Sequence, residues 1–274
     1  MRNLRNDCIL PRTRTSFAIF RAHAAEGSCP RPFQGEPVTQ LRQATCRNRL
    51  LAGLPPSDFD LLQGQLALKK LAVGDVLIQM DTPITSLYFI EQGIVSLVAQ
   101  APDGEQAEIG LVGCEGLVGT PLLLGSDQAT FDGRVQNAGS AWAISASSFR
   151  EILARSSPLD GRLLRYVQTV TTQMAGTALA NARYTLAARL ARWLLMCHDR
   201  VEGDDLSTTH RFLSLMLGVN RTGVTEVVAA LERARVIATK RGTITILDRP
   251  YLLAQAGACY GTPEVEYARL IEGA

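Results

Sequence analysis

Clustered metal ligands are the first thing this sequence lacks. His23, His198 and His210 stand far apart. Cys8, Cys29, Cys46, Cys114, Cys197 and Cys259 include no pair at the spacing of a zinc ribbon or a thioredoxin-type motif. No sequence-local metal site is visible. No apolar run reaches the ~18 residues that a membrane-spanning helix needs. A Gly-x-Ser-x-Gly elbow, a phosphate loop and a metal-binding His pair are all missing, so the common sequence marks of catalysis are absent. Glycine (23) and proline (12) are too sparse for a low-complexity chain. A chain of 274 residues needs no disulfide staples, and its cysteines read as reduced thiols of a cytoplasmic protein.

What is present is a globular composition, 46% apolar and 20% charged, with enough apolar side chain for a core. The net charge of +2 hides a division. Residues 1–49 carry +6, 50–157 carry −7, 158–205 carry +1, 206–249 carry +4 and 250–274 carry −2. An acidic body with a basic C-terminal module suggests one part that senses and another that touches polyanions.

Residues 1–45 hold Arg2, Arg5, Arg12, Arg14, Arg21 and Arg31, several prolines and no sustained periodicity. They read as a disordered or mis-predicted extension. An Arg-rich, acid-poor start is also the composition of a transit peptide, and no apolar signal-peptide core follows it.

From residue 46 the pattern becomes regular. Arg49 to Leu62 reads as a short helical region, with Ser57 as a cap for a helix from Asp58 to Leu66. Lys70–Ile78, Thr85–Ile90, Gly93–Val98 and Ala107–Val112 read as strands. Glu91-Gln92-Gly93 and Pro102-Asp103-Gly104 read as turns between them. Gly133–Val135 and Ala141–Ile144 follow, then a helix capped by Ser147. Short strands broken by turn residues indicate an antiparallel barrel or sandwich.

Ser157-Pro158-Leu159-Asp160 is a helix start, with Ser157 as cap. Leu163, Val167, Val170, Met174 and Thr177 recur at spacings of 4, 3, 4, 3, a coiled-coil seam. The stripe persists for two heptads, so these residues fit either a dimer interface or an amphipathic helix packed on its own body, and Gly176 is expected to loosen the helix end. A further amphipathic helix runs through Leu186, Leu190, Trp193, Leu194 and Cys197. Asp204-Asp205 reads as a loop. Thr209 then caps a short helix that stops at Gly218, and Asn220 caps the next, whose buried face is Val224, Val227, Val228 and Leu231. Two capped helices joined by a tight Gly turn make a helix-turn-helix. Val236–Ile246, with Lys240 and Arg241 at its tip, is a hairpin of the winged kind. Residues 250–274 suggest short helices and carry no functional reading.

Gly74-x-x-Leu77, Tyr88-x-Ile90-x-x-Gly93-x-Val95, Glu115-Gly116-Leu117-Val118-Gly119 and the helix-turn-helix together resemble the Crp/Fnr transcription factors. The resemblance implies an α+β chain: an N-terminal antiparallel β-roll (jelly-roll-like) over 46–155, a dimerisation helix over 156–180, a winged helix-turn-helix over 181–250 and a tail over 251–274. It also implies an effector pocket around Gly119, Thr120, Leu122 and Arg134. In members that bind cyclic nucleotide, a Glu takes the ribose hydroxyl and an Arg-Ser pair neutralises the phosphate. Here the Glu position is Thr120, and Phe131-Asp132 falls near the Arg-Ser position. A carboxylate about 4 Å from a phosphate costs about 4 kcal/mol at an effective dielectric of about 20. Cyclic nucleotide is therefore not expected, and the pocket is either filled by its own side chains, Leu122 to Leu124 among them, or open to an unidentified ligand.

The same resemblance makes Arg221 the first base-reading residue, able to grip guanine through two hydrogen bonds. Thr222, Thr225 and Glu226 depart from the family's reading pattern, so the operator should differ. Thr209, His210, Arg211, Asn220, Lys240 and Arg241 would position phosphates. The implied partners are a double-stranded operator, a second copy of the chain and RNA polymerase, with no membrane and no cofactor. Three alternatives stand beside this: a redox- or metal-sensing regulator using Cys8, Cys29, Cys46 and Cys114; a regulator that lost its signal and answers to abundance alone; and an enzyme using the roll cavity.

Overall fold

The computed structural model describes residues 41–273. Most of the sequence reading of residues 1–45, with Cys8 and Cys29, therefore lies outside the described residues. The last part does not. Leu41 is buried in the roll core, and the Gln43 side chain donates to the Leu54 carbonyl at 2.7 Å. The folded body thus starts before residue 46.

Two short helices come first, α1 (Arg49–Ala52) and α2 (Pro56–Gln63). The side chain of Asn48 caps α1. In α2 the cap position is Pro55 and Pro56 opens the helix, so Ser57 lies inside the first turn rather than at the cap. The roll follows: β1 (Ala67–Leu71), β2 (Val76–Ile78), β3 (Ser86–Gln100), β4 (Gln106–Val112), β5 (Leu117–Val118) and β6 (Asp132–Ser145). The sheet order is β1-β6-β3-β4, with β2 beside β6 and β5 beside β3, and all these pairs are antiparallel.

One expected turn is not a turn, and two expected strands are one. Glu91-Gln92-Gly93 lies inside β3, and the two strands expected at the end of the roll are one, β6. The register slips three times between Ile90 and Val95 where β3 crosses β6. Gly93 sits at φ 97°, and a Cβ on Gly139 would lie 1.9 Å from the Gln92 carbonyl oxygen. These glycines let two long strands bend past each other without breaking. Pro102-Asp103-Gly104 is the β3–β4 turn, as its residues require.

The hydroxyl of Ser145, two residues before Ser147, caps α3 (Ala146–Leu153). Helix α4 (Ser157–Arg183) is capped by Ser156, one residue earlier than expected, and continues through Gly176. Helix α5 (Leu186–His198) follows. Asp204-Asp205 leads into a short strand, β7 (Asp205–Ser207). The helix-turn-helix is α6 (His210–Leu217) and α7 (Arg221–Arg233). The wing is β8 (Ile237–Lys240) and β9 (Thr243–Ile246), with β7 completing a three-stranded sheet on β9. Helices α8 (Arg249–Ala256) and α9 (Thr262–Tyr267) follow, and a π-helical turn over Ala268–Glu272 continues from α9. No helix among the described residues is long and apolar enough to cross a membrane.

Alternation along β3 divides the core. Val95 and Leu97 face the roll interior, whereas Ile94 and Val98 join the core built around α5. Between the sheet and α5 lies Glu108, fully buried. Its Oε1 accepts from the Trp193 indole at 2.8 Å, and its Oε2 has no partner. Desolvation lifts this carboxyl from the ordinary 4.5 to about 8, against the pull of Ser96 and Trp193. The folded state thus holds a proton that the unfolded chain releases, so stability falls as pH rises through that window and levels off above it. Glu108→Gln keeps the shape without the charge. We expect melting curves of the wild type to shift down between about pH 5 and about pH 9 and those of the variant to shift much less, with the variant about 1–3 kcal/mol more stable at the alkaline end. Equal pH profiles would show that Glu108 carries no such penalty.

Candidate nucleic-acid interface

The helix-turn-helix is built by its caps. The Thr209 hydroxyl accepts from the Phe212 amide at 3.1 Å and starts α6. Gly218, at φ 59°, ends it in a left-handed turn that L residues adopt at a cost. The Asn220 side chain accepts from the Gly223 amide at 2.8 Å and starts α7. Leu213, Met216 and Leu217 of α6 and Val224, Val228 and Leu231 of α7 are buried together, which fixes the angle between the helices. Arg189, which sequence reasoning passed over, donates to the Leu217 carbonyl at the end of α6.

This packing leaves one face of α7 open. Arg221, Thr222, Thr225 and Glu226 are exposed, as are Thr209, Arg211, Asn220, Lys240 and Arg241. Arg241 and Gly242 both take positive φ at the wing tip, the geometry of a tight hairpin turn. His210 and Thr225 are engaged with one another at 3.1 Å, so this pair joins α6 to α7. Arg233 and Arg235, exposed at the end of α7, add cations not singled out from sequence. Only the charge count of residues 206–249 pointed to them. The tip of the β3–β4 hairpin, Gly104 to Gln106, faces α6 and its turn across an open groove of about 860 Å³.

In the roll, Gly119 takes a left-handed conformation and opens a short helical turn, Thr120–Leu124. Thr120, Leu122 and Leu123 are buried there. Arg134 donates to Asp132 through Nε at 3.0 Å and Nη2 at 2.6 Å, while the other Asp132 oxygen accepts from the Met80 amide.

The cyclic nucleotide-binding domain family matches residues 68–156, and the Crp-like helix-turn-helix domain family matches residues 188–255. Together the two matches span more than half of the chain, in the order and on the elements just described. The chain belongs to the Crp/Fnr family. It is a transcription regulator with a helix-turn-helix DNA-binding domain.

No curated protein matches it. Among solved structures, FixK2 from Bradyrhizobium japonicum is similar with a TM-score of 0.61 at 15% identity, over 70% of this chain and 98% of that one. A CRP-family regulator from Thermus thermophilus is similar at 0.59 and 21%, over 71% and 99%. The c-di-GMP responsive global regulator CLP from Xanthomonas campestris is similar at 0.55 and 19%, over 70% and 99%. At these identities the likeness shows the fold.

Within the Crp/Fnr frame, the long helix does not present the seam expected from its sequence. Leu163 is 1% exposed and Val170 8% exposed, both packed in the core of their own roll. Val167 and Met174 are half-buried on its flank, and Thr177 is tied to Arg192 and the Gln173 carbonyl. That stripe is largely occupied within the chain. The face left open is turned by about 100°, one residue along. It carries Leu164, Gln168, Thr171, Ala175, Ala178 and Ala182, again at alternating spacings of four and three.

Of the four cysteines of the redox- or metal-sensing alternative, Cys46 and Cys114 lie among the described residues, as free thiols. Among the described residues, no group of three or more His, Cys, Asp or Glu side chains could hold a metal ion. Burial pushes the Cys46 thiol up to about 12, helped by Glu91, and burial beside Glu115 raises Cys114. Neither is a thiolate at neutral pH, which is the form that reacts.

Proposed function

We propose that this Crp/Fnr protein works in the cytoplasm as a homodimer that reads a specific operator without answering to cyclic AMP. The observation that carries the reading is the exposed Arg221 on the first turn of a capped helix, in a module that also exposes the cations Arg211, Lys240 and Arg241. Such a helix end enters a major groove, with the guanidinium on a guanine edge and the wing on phosphate.

A symmetric pair of chains would set two such helices about one helical repeat apart, roughly 34–36 Å. The exposed stripe of α4 supports this pairing. Its alanines let two helices approach closely, and its spacing is that of a coiled coil. Family membership supports RNA polymerase as the downstream partner. The relatives are transcription regulators rather than enzymes, which weighs against catalysis in the roll.

Insensitivity to cyclic AMP follows from charge. The one cation among the four expected pocket residues, Arg134, is already neutralised by Asp132, whose side chain is 6% exposed. A cyclic phosphodiester there would meet a carboxylate and no free guanidinium. Selection of genomic fragments by the purified protein, with and without millimolar cyclic AMP, tests both parts. We expect one two-fold symmetric motif and equal enrichment in the two arms. Enrichment without a motif would contradict sequence reading, and a motif recovered only with cyclic AMP would contradict the pocket argument.

A further inference from the structure

The tail that had no role in the sequence closes a cavity. Tyr267 and Ile271 are buried in the roll core, and the Tyr267 hydroxyl donates to the Glu115 carbonyl at 2.8 Å. Arg49 of α1 pairs with Glu272 and lies over the Tyr267 ring. The match to the Crp-like helix-turn-helix domain stops at residue 255, so α9 lies beyond it. Between α4, the end of α5 and this tail is a space of about 310 Å³. That lies at the small end of ligand sites, about 300–1,000 Å³.

Its walls are polar, and their charges are nearly all used. Arg200 donates from Nε to Glu115 at 2.8 Å and from Nη1 to the Met196 carbonyl at 2.6 Å. Arg49 is held by Glu272. Asp199 accepts from Arg249 and from the Tyr260 hydroxyl, each at 2.6 Å. Gln173 exchanges two hydrogen bonds with the Leu111 backbone. Glu264 is the exception. Its Oε2 is buried without a partner. Arg192, whose field reaches Glu264, is spent on Thr177 and the Gln173 carbonyl. Burial holds the Glu264 carboxyl above its usual range, chiefly by desolvation.

The two cations lining the cavity are thus paired with carboxylates, and one acceptor oxygen is left over. An anion entering here finds no free positive charge. A ligand with N–H donors and a positive charge would complete the set, and the rings of Tyr166, Tyr260 and Tyr267 in the wall attract cations. We propose that this cavity, whose lining includes neither Gly119 nor Arg134, binds a small organic cation, an amine or a guanidine, with its charged N–H group on Glu264. The inference stands apart from the DNA reading, because it concerns what the resting protein binds.

Melting of the full chain with agmatine or benzylamine tests it. We expect at least one of these probes to give an upward shift that saturates in the millimolar range. Glu264→Gln should weaken the apparent affinity at least tenfold. Glu266→Gln, on the same helix but outside the cavity wall, should leave it unchanged. Calorimetric titration of the wild type is a second readout that does not depend on a variant folding, and should give one site per chain. No saturable shift and no heat with either probe would overturn the proposal, as would a shift that Glu264→Gln leaves intact.

Discussion

Arg221→Ala should weaken operator binding by about 1–3 kcal/mol per half-site, roughly 5- to 150-fold for each. Two half-sites in one complex roughly double the free-energy loss where their effects add. The residue is exposed at the first turn of α7, so its removal opens no cavity and costs the fold little. What is lost is a planar pair of donors that only guanine matches with both O6 and N7. The variant should therefore lose discrimination at one base position while keeping its affinity for unrelated duplex. Lys240→Ala is the contrast. A phosphate contact lowers affinity for all sequences alike and reduces the salt slope by about one. Mobility shifts on the operator and on single-base variants distinguish the two. If Arg221→Ala binds every variant with wild-type affinities, Arg221 does not read a base.

The pair Leu164→Glu and Ala178→Glu should convert the dimer to monomers, seen in sedimentation, and lower operator affinity by about 10²–10⁴-fold through loss of the second half-site. Leu164 is 39% exposed and Ala178 is exposed, so the two carboxylates meet water in the monomer and repel only across a paired interface. Melting of the variant should stay close to that of the wild type at low protein concentration. Leu163→Glu, one residue away, should behave in the opposite sense. Its side chain is buried against the roll, and a charge there destabilises the protomer itself. A double variant that still sediments as a dimer would move the interface off α4. A variant that unfolds would mean the stripe packs within the protomer.

How far the sequence was legible depended on the range of the interactions involved. Thr209, Gly218 and Asn220 act on their own neighbours, and their composition alone places the helix-turn-helix. The wing was equally plain, since Lys240-Arg241-Gly242 is turn chemistry between β-branched runs. Non-local packing was less legible. Leu163 and Val170 carry a perfect heptad spacing, but the same spacing serves a helix laid on its own sheet, and only the position of the roll decides which face is covered. Gly93 looked like a turn because its conformation is that of a turn, whereas the contact with β6 makes it a bulge in one long strand. The charge of Arg134 was visible, but its pairing with Asp132 depended on strand orientation. Glu108 and Glu264 gave no local signal, since each is made unusual by elements far along the chain. The cavity beside Glu264 exists because α9 returns to α4, a contact across most of the C-terminal half.

The central claim is that a paired set of capped helices, each on a basic module, grips duplex DNA by sequence. It is tested most directly by titrating the full-length protein with a selected duplex, and with the same duplex scrambled, over a series of salt concentrations. The account predicts binding to both that weakens steeply and linearly in logarithmic salt, with the selected duplex held about 10³-fold or more tighter throughout. Equal affinities for the two duplexes at every salt concentration, or binding to neither by a folded protein, would contradict it.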